Sequence, residues 1–199
     1  MSAITEKALL ADPAPLGLAA FAITTFLLSF TNAGMVPAST VAVVMPLALT
    51  YGGITQLIVG GFEMRKGNTF GFTAFTSYGA FWLFYALFVL LKMVGIIDPP
   101  ASAIGLTLIL WGIFTLWMWV STLSMNLTLM LTFLFLWITF FTLGSGDLLG
   151  NLDLIRLGGY LGLITAGLAS YASFAIVTNS VMGSTRIPLG PKVLDKEKK

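Results

Sequence analysis

Amides and hydroxyls set into apolar surroundings are the chemistry this sequence offers. Asn32 and Gln56 stand inside long uncharged runs, and the stretch GNTFGFTAFTSYGAFW at 67–82 carries Asn68, Thr69, Thr73, Thr76, Ser77 and Tyr78. Such groups make and release hydrogen bonds; they do not cleave covalent bonds. The chain has no His and no Cys, which removes Ser-His-Asp chemistry, thiolate nucleophiles, disulfides, His-rich metal sites and histidine proton relays. No Asp, Glu, Lys or Arg falls near the middle of an apolar run, so a proton relay through buried carboxylates has no residues to use. No catalytic residue, metal ligand or cofactor is expected, and the chain is not read as an enzyme.

Spacing places several of these groups on shared helical faces. Gly17, Phe21, Thr25, Leu28 and Asn32 recur every three or four residues, as do Gly52, Gln56, Val59 and Glu63, and again Leu129, Thr132, Leu136 and Phe140. Mixed stripes of this kind suit the wall of a narrow pore with a few hydrogen-bonding stations. They suit ordinary packing in a helix bundle equally well. A lone Thr or Ser usually bonds the carbonyl one turn back, whereas an amide has more donors and acceptors than its own helix can satisfy. Gly158, Gly162, Ala166 and Ser170 form a different ridge, of small residues, which lets two helix backbones approach closely.

The elements that must carry these faces follow from composition. Of 199 residues, 57% are hydrophobic and 9% charged, far from the roughly 25% charge of a soluble domain. Between Asp98 and Asp147 there is no charged side chain, room for two crossings of about 20 residues each. Six such runs can be marked, at 16–34, 39–62, 70–91, 101–120, 126–144 and 157–182. The expected fold is an all-α integral membrane protein with six transmembrane helices, its partner the surrounding lipid. Residues 1–11 form an N-terminal tail, 12–183 the membrane domain, and 184–199 a polar, basic tail expected to be mobile. The first 17 residues lack the basic and short apolar regions of a cleaved signal, so the first helix is expected to be retained.

Asp12 can accept hydrogen bonds from free N–H groups at the first helix start, with Pro13 and Pro15 in the tolerated first turn. Lys7, Arg65, Lys66, Arg186, Lys192, Lys196, Lys198 and Lys199 fall on the side of the termini, against only Lys92 and Arg156 opposite. Both termini are therefore expected in the cytoplasm. A net charge of +2 is too small for a nucleic-acid surface. Within 67–82, a helical wheel separates Thr69, Thr73, Thr76 and Ala80 from Phe72, Phe75, Gly79 and Trp82, and both from Gly71, Ala74, Tyr78 and Phe81. The second face is expected to meet lipid or a neighbouring helix and the third the interior.

DPAPLGL, YGGITQ, FEMRKGNTFGFTAFTSYGAFW and LWGIFTLWMW occur in that order. Together they closely resemble the acetate uptake transporter family, which includes the bacterial succinate–acetate permeases, over about residues 12–183. The first motif usually opens on Asn in that family; here Asp12 stands in its place and still caps a helix. The resemblance implies a homohexamer in the plasma membrane, with one pathway per protomer for acetate and, as further candidates, succinate and other short carboxylates. It also implies an apolar constriction of Phe21, Tyr78 and Leu136, and a helix-start motif of Asp12, Pro13, Pro15 and Gly17. In the resulting scheme a carboxylate gathers at polar vestibules containing Glu63 and Asn68. It then passes the apolar gap helped by Thr24, Thr25, Asn32, Gln56, Thr76, Ser77 and the Tyr78 hydroxyl. The alternative reading is a channel for a small neutral solute such as urea. A membrane scaffold or sensor gives no reason for amides within spans.

Overall fold

The structure, a computed structural model, describes residues 11–194. The outer parts of both tails, with Lys7, Lys196, Lys198 and Lys199, lie outside the described residues. Among the described residues, six helices are long and apolar enough to cross a membrane: α1 (Ala14–Asn32), α2 (Ala38–Lys66), α3 (Thr69–Met93), α4 (Ala101–Thr122), α5 (Leu127–Leu149) and α6 (Leu152–Met182). At about 1.5 Å per residue the shortest of them still matches a hydrocarbon core of about 30 Å.

Sharp reversals come from one dipeptide used twice. Gly67 ends α2 and Gly150 ends α5, each with positive φ (77° and 61°), a conformation that costs glycine nothing. The next residue is Asn in both cases and caps the helix that follows. Asn68 Oδ1 accepts from the Gly71 N–H at 3.1 Å, and Asn151 Oδ1 accepts from the Asp153 and Leu154 N–H groups at 3.0 and 3.2 Å. Asn126 caps α5 in the same way, accepting from the Leu129 N–H at 2.9 Å.

α2 is not one regular helix. Pro46 lies inside its first α-helical segment, and the next eight residues, Ala48–Thr55, form a π-helix before α geometry resumes at Gln56. The proline removes one backbone donor, and the wider π-turns shift the phase of everything that follows. Gly52 and Gly53 consequently both face inward. A Cβ on Gly52 would lie 2.8 Å from the Trp82 ring, and one on Gly53 2.5 Å from Leu83. The bare backbone lets α2 nest against α1 and α3.

The small-residue ridge of α6 packs within the chain. Gly158 faces Leu143 of α5, Gly162 faces Ser29 of α1, and Ala166 is fully buried. Gly159, one step aside, meets the α1 backbone at Asn32 and Ala33. At the other end of the same contact, the Ser173 hydroxyl donates to the Pro15 carbonyl at 2.6 Å. α1 is thus fixed along its length, which sets the bearing of Phe21 and Thr25.

Residues 184–194 differ from the mobile tail expected. Asn179 Oδ1 accepts from the backbone N–H groups of Arg186 and Ile187, and its Nδ2 donates to the Ile187 carbonyl, all within 2.9 Å. The Tyr171 hydroxyl donates to the Pro188 carbonyl at 2.6 Å, and Thr128 donates to the Leu189 carbonyl from both its backbone N–H and its hydroxyl. The Leu194 N–H closes the strap onto the Leu123 carbonyl at 2.8 Å. The physical reason is local: side chains of α5 and α6 supply partners that an isolated tail would have to find in water.

Candidate functional site

Among the described residues, two neighbouring cavities lie inside the bundle, toward its opposite ends. The larger, ≈ 690 Å³, reaches the α3–α4 loop at Asp98 and the end of α5 at Asp147. The smaller, ≈ 140 Å³, reaches the starts of α1, α3 and α5 and is edged by Leu189 of the C-terminal strap. Three residues line both: Phe21, Tyr78 and Leu136. They form the partition between the cavities and are buried, with 7, 3 and 4% of their surface exposed. Three different helices supply them, and the Phe21 and Tyr78 rings lie 6.0 Å apart at a tilt of 53°.

The mixed stripes of α1 and α5 run through this passage. Phe21, Thr25, Leu28 and Asn32 line the larger cavity; Leu129, Thr132 and Leu136 line the smaller, and Leu136 and Phe140 the larger. On α2 only Gln56 reaches a cavity, while Gly52 and Val59 pack against neighbouring helices. Polar atoms without a hydrogen-bond partner among the described residues flank the partition. Thr25 Oγ1 and Trp82 Nε1 lie on the larger side and Gln56 Oε1 on the smaller. The Gln56 Nε2 donates weakly to the Gly17 carbonyl at 3.4 Å. Buried polar atoms are rarely left unpaired; Glu63 Oε1, Thr76 Oγ1, Trp119 Nε1 and Trp137 Nε1, on residues that line neither cavity, are unpaired as well.

Several expected stations stand elsewhere. The Thr24 hydroxyl donates to the Ala20 carbonyl at 2.9 Å, and its side chain packs against Gly52. Thr76 lies on the back of α3 against Gly60, and Ser77, half-buried, lines neither cavity. One face is the reason: on α3 the inward positions are Gly71, Ala74, Tyr78 and Phe81, roughly opposite the threonines. The Tyr78 hydroxyl donates to Thr115 Oγ1 at 3.0 Å and not into the passage. Phe75 and Trp82, expected at lipid or a neighbouring helix, do meet neighbouring helices, at Gly17 of α1 and Gly52 of α2, and each also lines a cavity. Trp82 was open to detection by its place one turn beyond Tyr78. Thr115 gave no signal apart from its position in LWGIFTLWMW.

The helix-start motif and the vestibule residues join in one network. Asp12 Oδ1 accepts from the Ala14 N–H at 3.2 Å and pairs with Lys66 Nζ at 2.7 Å. Lys66 lies 4.0 Å from Oε1 of Glu63, whose Oε2 accepts from Asn68 Nδ2 at 2.6 Å. Glu63 is fully buried and lines no cavity; Gly71 leaves space for it, since a Cβ there would lie 2.8 Å from the carboxylate. Asn68 lines the smaller cavity. Asp12→Asn is expected to cost less than about 1 kcal/mol, because the Lys66–Asp12 pair is more than a third exposed. Asn68→Ala is expected to cost about 2–4 kcal/mol, since it removes a helix cap and leaves the buried Glu63 carboxylate without its donor. Thermal melts of the detergent-purified protein check this order; equal losses would break it.

Among the described residues no Lys or Arg lines either cavity, and no metal-binding cluster is found. Six apolar helices enclosing two cavities, divided by an apolar partition with unpaired polar atoms on both sides, define a multi-pass membrane transport protein. A family model described as the GPR1/FUN34/yaaH family matches residues 2–191, and the chain belongs to that family. The Escherichia coli succinate-acetate/proton symporter SatP is 41% identical over 182 residues, which cover 91% of this chain and 96% of that protein. Acetate permease A of Emericella nidulans is 40% identical over 197 residues, covering 90% of this chain and 65% of its own length. The solved structure of the bacterial acetate channel SatP superposes with a TM-score of 0.87 at 41% identity, covering 91% of this chain and 99% of that one.

Proposed function

We propose that the protein carries acetate across the plasma membrane through the passage within each chain, with succinate and other short carboxylates as further substrates. The observation that carries the reading is the partition: Phe21, Tyr78 and Leu136 line both cavities, with unpaired Thr25, Trp82 and Gln56 atoms beside them. Thr25, Asn32 and Gln56 are the hydrogen-bonding stations, joined by the Trp82 N–H. Thr24 and Thr76 are set aside because they face other helices, and Ser77 because it lines neither cavity. The Lys and Arg distribution supports cytoplasmic termini, which makes the smaller cavity the cytoplasmic vestibule. The family resemblance supports a homohexamer. α2 and α4, with only 28 and 22% of their most apolar windows buried within the chain, leave surface for lipid and for neighbouring copies.

Stripping water from a carboxylate is costly in an apolar site. With no cation lining either cavity, neutral acetic acid crosses the partition more readily than the anion. Hydroxyl and amide groups hold the solute weakly enough to release it. Labelled-acetate uptake by purified protein in liposomes is expected to exceed that of empty vesicles and to rise when the outside is made acidic. Uptake indifferent to the gradient sinks passage of the acid form, and uptake equal to empty vesicles sinks the acetate reading. Urea flux above acetate flux in the same vesicles supports the neutral-solute alternative instead.

A further inference from the structure

Tyr78 is the most tightly surrounded residue of the partition. Its ring centre lies 6.0 Å from Phe21, 6.2 Å from Trp111, 5.8 Å from Phe114 and 6.0 Å from Phe133. Its hydroxyl finds one polar partner within this aromatic cage, Thr115 Oγ1 at 3.0 Å. The Thr115 hydroxyl in turn donates to the Trp111 carbonyl at 2.7 Å. Its only proton is committed there, so Thr115 can meet Tyr78 only as an acceptor, which fixes the direction of the whole chain. Thr115 is fully buried and lines neither cavity. Among the described residues, this is the only side-chain hydrogen bond between α3 and α4.

We infer that Thr115 is a positioning residue, and that its hydroxyl holds the Tyr78 ring across the passage and so sets which carboxylates fit. The inference rests on the acetate-conduit reading for its consequence, though not for its geometry. A tyrosine hydroxyl left without a partner in an apolar cage carries a penalty. Without Thr115 Oγ1, nothing polar holds the ring in place, and it is free to swing toward the cavities it borders. A swung ring widens one side of the partition. Acetate, which is small, is little affected; a longer chain such as butyrate gains.

Thr115→Val keeps the shape of the side chain and removes the hydroxyl, whereas Thr115→Ser keeps it. In proteoliposomes Thr115→Val is expected to raise butyrate uptake relative to acetate about fivefold, the size of one ordinary hydrogen bond. Thr115→Ser stays within about twofold of wild type. Tyr78→Phe, which has no hydroxyl to be left unpaired, stays within about twofold of wild type, and adding it to Thr115→Val brings the ratio back toward wild type, because no orphaned hydroxyl remains. A merely structural threonine gives unchanged selectivity in Thr115→Val, or fully additive effects, and either outcome overturns the inference.

A second readout needs no transport. Tyr78 is expected to resist nitration by tetranitromethane in wild type and in Thr115→Ser, and to become nitrated in Thr115→Val, as located by peptide mass spectrometry. Continued protection in a Thr115→Val sample that elutes normally on size exclusion overturns the inference. If nitration follows the prediction while wild type carries no acetate, the positioning role stands and the conduit reading fails.

Discussion

Phe21→Ala is expected to raise acetate flux about tenfold or more and to erase most of the preference for acetate over butyrate. The partition is one side chain thick, since the same three residues border both cavities. With the Phe21 ring removed, a space of ≈ 690 Å³ opens directly into one of ≈ 140 Å³. Water can then follow the solute, and the carboxylate no longer sheds its whole shell in one step. Relief of only about 1.4 kcal/mol at that barrier is a tenfold change in rate. The same truncation removes a well-packed ring, at a cost of about 3–5 kcal/mol in a typical core. Phe21→Leu, which narrows the defect, is therefore run beside it, and both are checked by size exclusion before reconstitution. Labelled acetate and butyrate uptake in liposomes is the measurement. Wild-type flux and wild-type selectivity in both variants would remove Phe21 from the partition.

Gly159→Val is expected to be the most damaging single substitution for the fold. A Cβ at this position runs into the backbone N and Cα of Ala33 and the carbonyl carbon of Asn32. No rotamer can relieve a clash with backbone, so α6 and α1 must part. Overpacking usually costs about 1–3 kcal/mol, and more when nothing nearby can give. The contact lies at the end of α1 that carries Asn32, and the displacement spreads to Thr25 and Phe21 on the same helix. Gly61→Ala is the control, because no atom lies within 4 Å of a Cβ built there. It is expected to change stability by no more than about 1 kcal/mol, the usual helix-propensity difference. The melting temperature in detergent and the fraction eluting without aggregation check the pair. Similar losses in both variants would show that the α1–α6 contact is not the tight one.

Much of the plan was legible in residue types. The span positions follow from runs without charge. Spacing also grouped Phe21 with Thr25, Leu28 and Asn32, and Leu129 with Thr132 and Leu136, and both groups line the passage. Spacing could not choose between pore wall and packing surface. Gly52, Gln56, Val59 and Glu63 form an equally good stripe, yet only Gln56 of the four reaches a cavity. That stripe begins inside the π-helical segment Ala48–Thr55, where the usual periodicity fails.

The sequence by itself determined a six-span helical membrane protein and the small set of amides and hydroxyls available to a solute. These depend on local transfer energies and local hydrogen bonds, which each residue carries with it. Only the tertiary structure decided that Thr25 meets the passage while Thr24 bonds its own helix, and that Tyr78 turns its hydroxyl to Thr115. It also decided that Trp82 faces a cavity and that residues 184–194 lie folded across the ends of α5 and α6. The strap depends on partners brought by α5 and α6; each of the other outcomes depends on how far a helix is rotated about its own axis. That rotation is set by close approaches between distant glycines and their neighbours, such as Gly159 against Ala33 and Gly52 against Trp82.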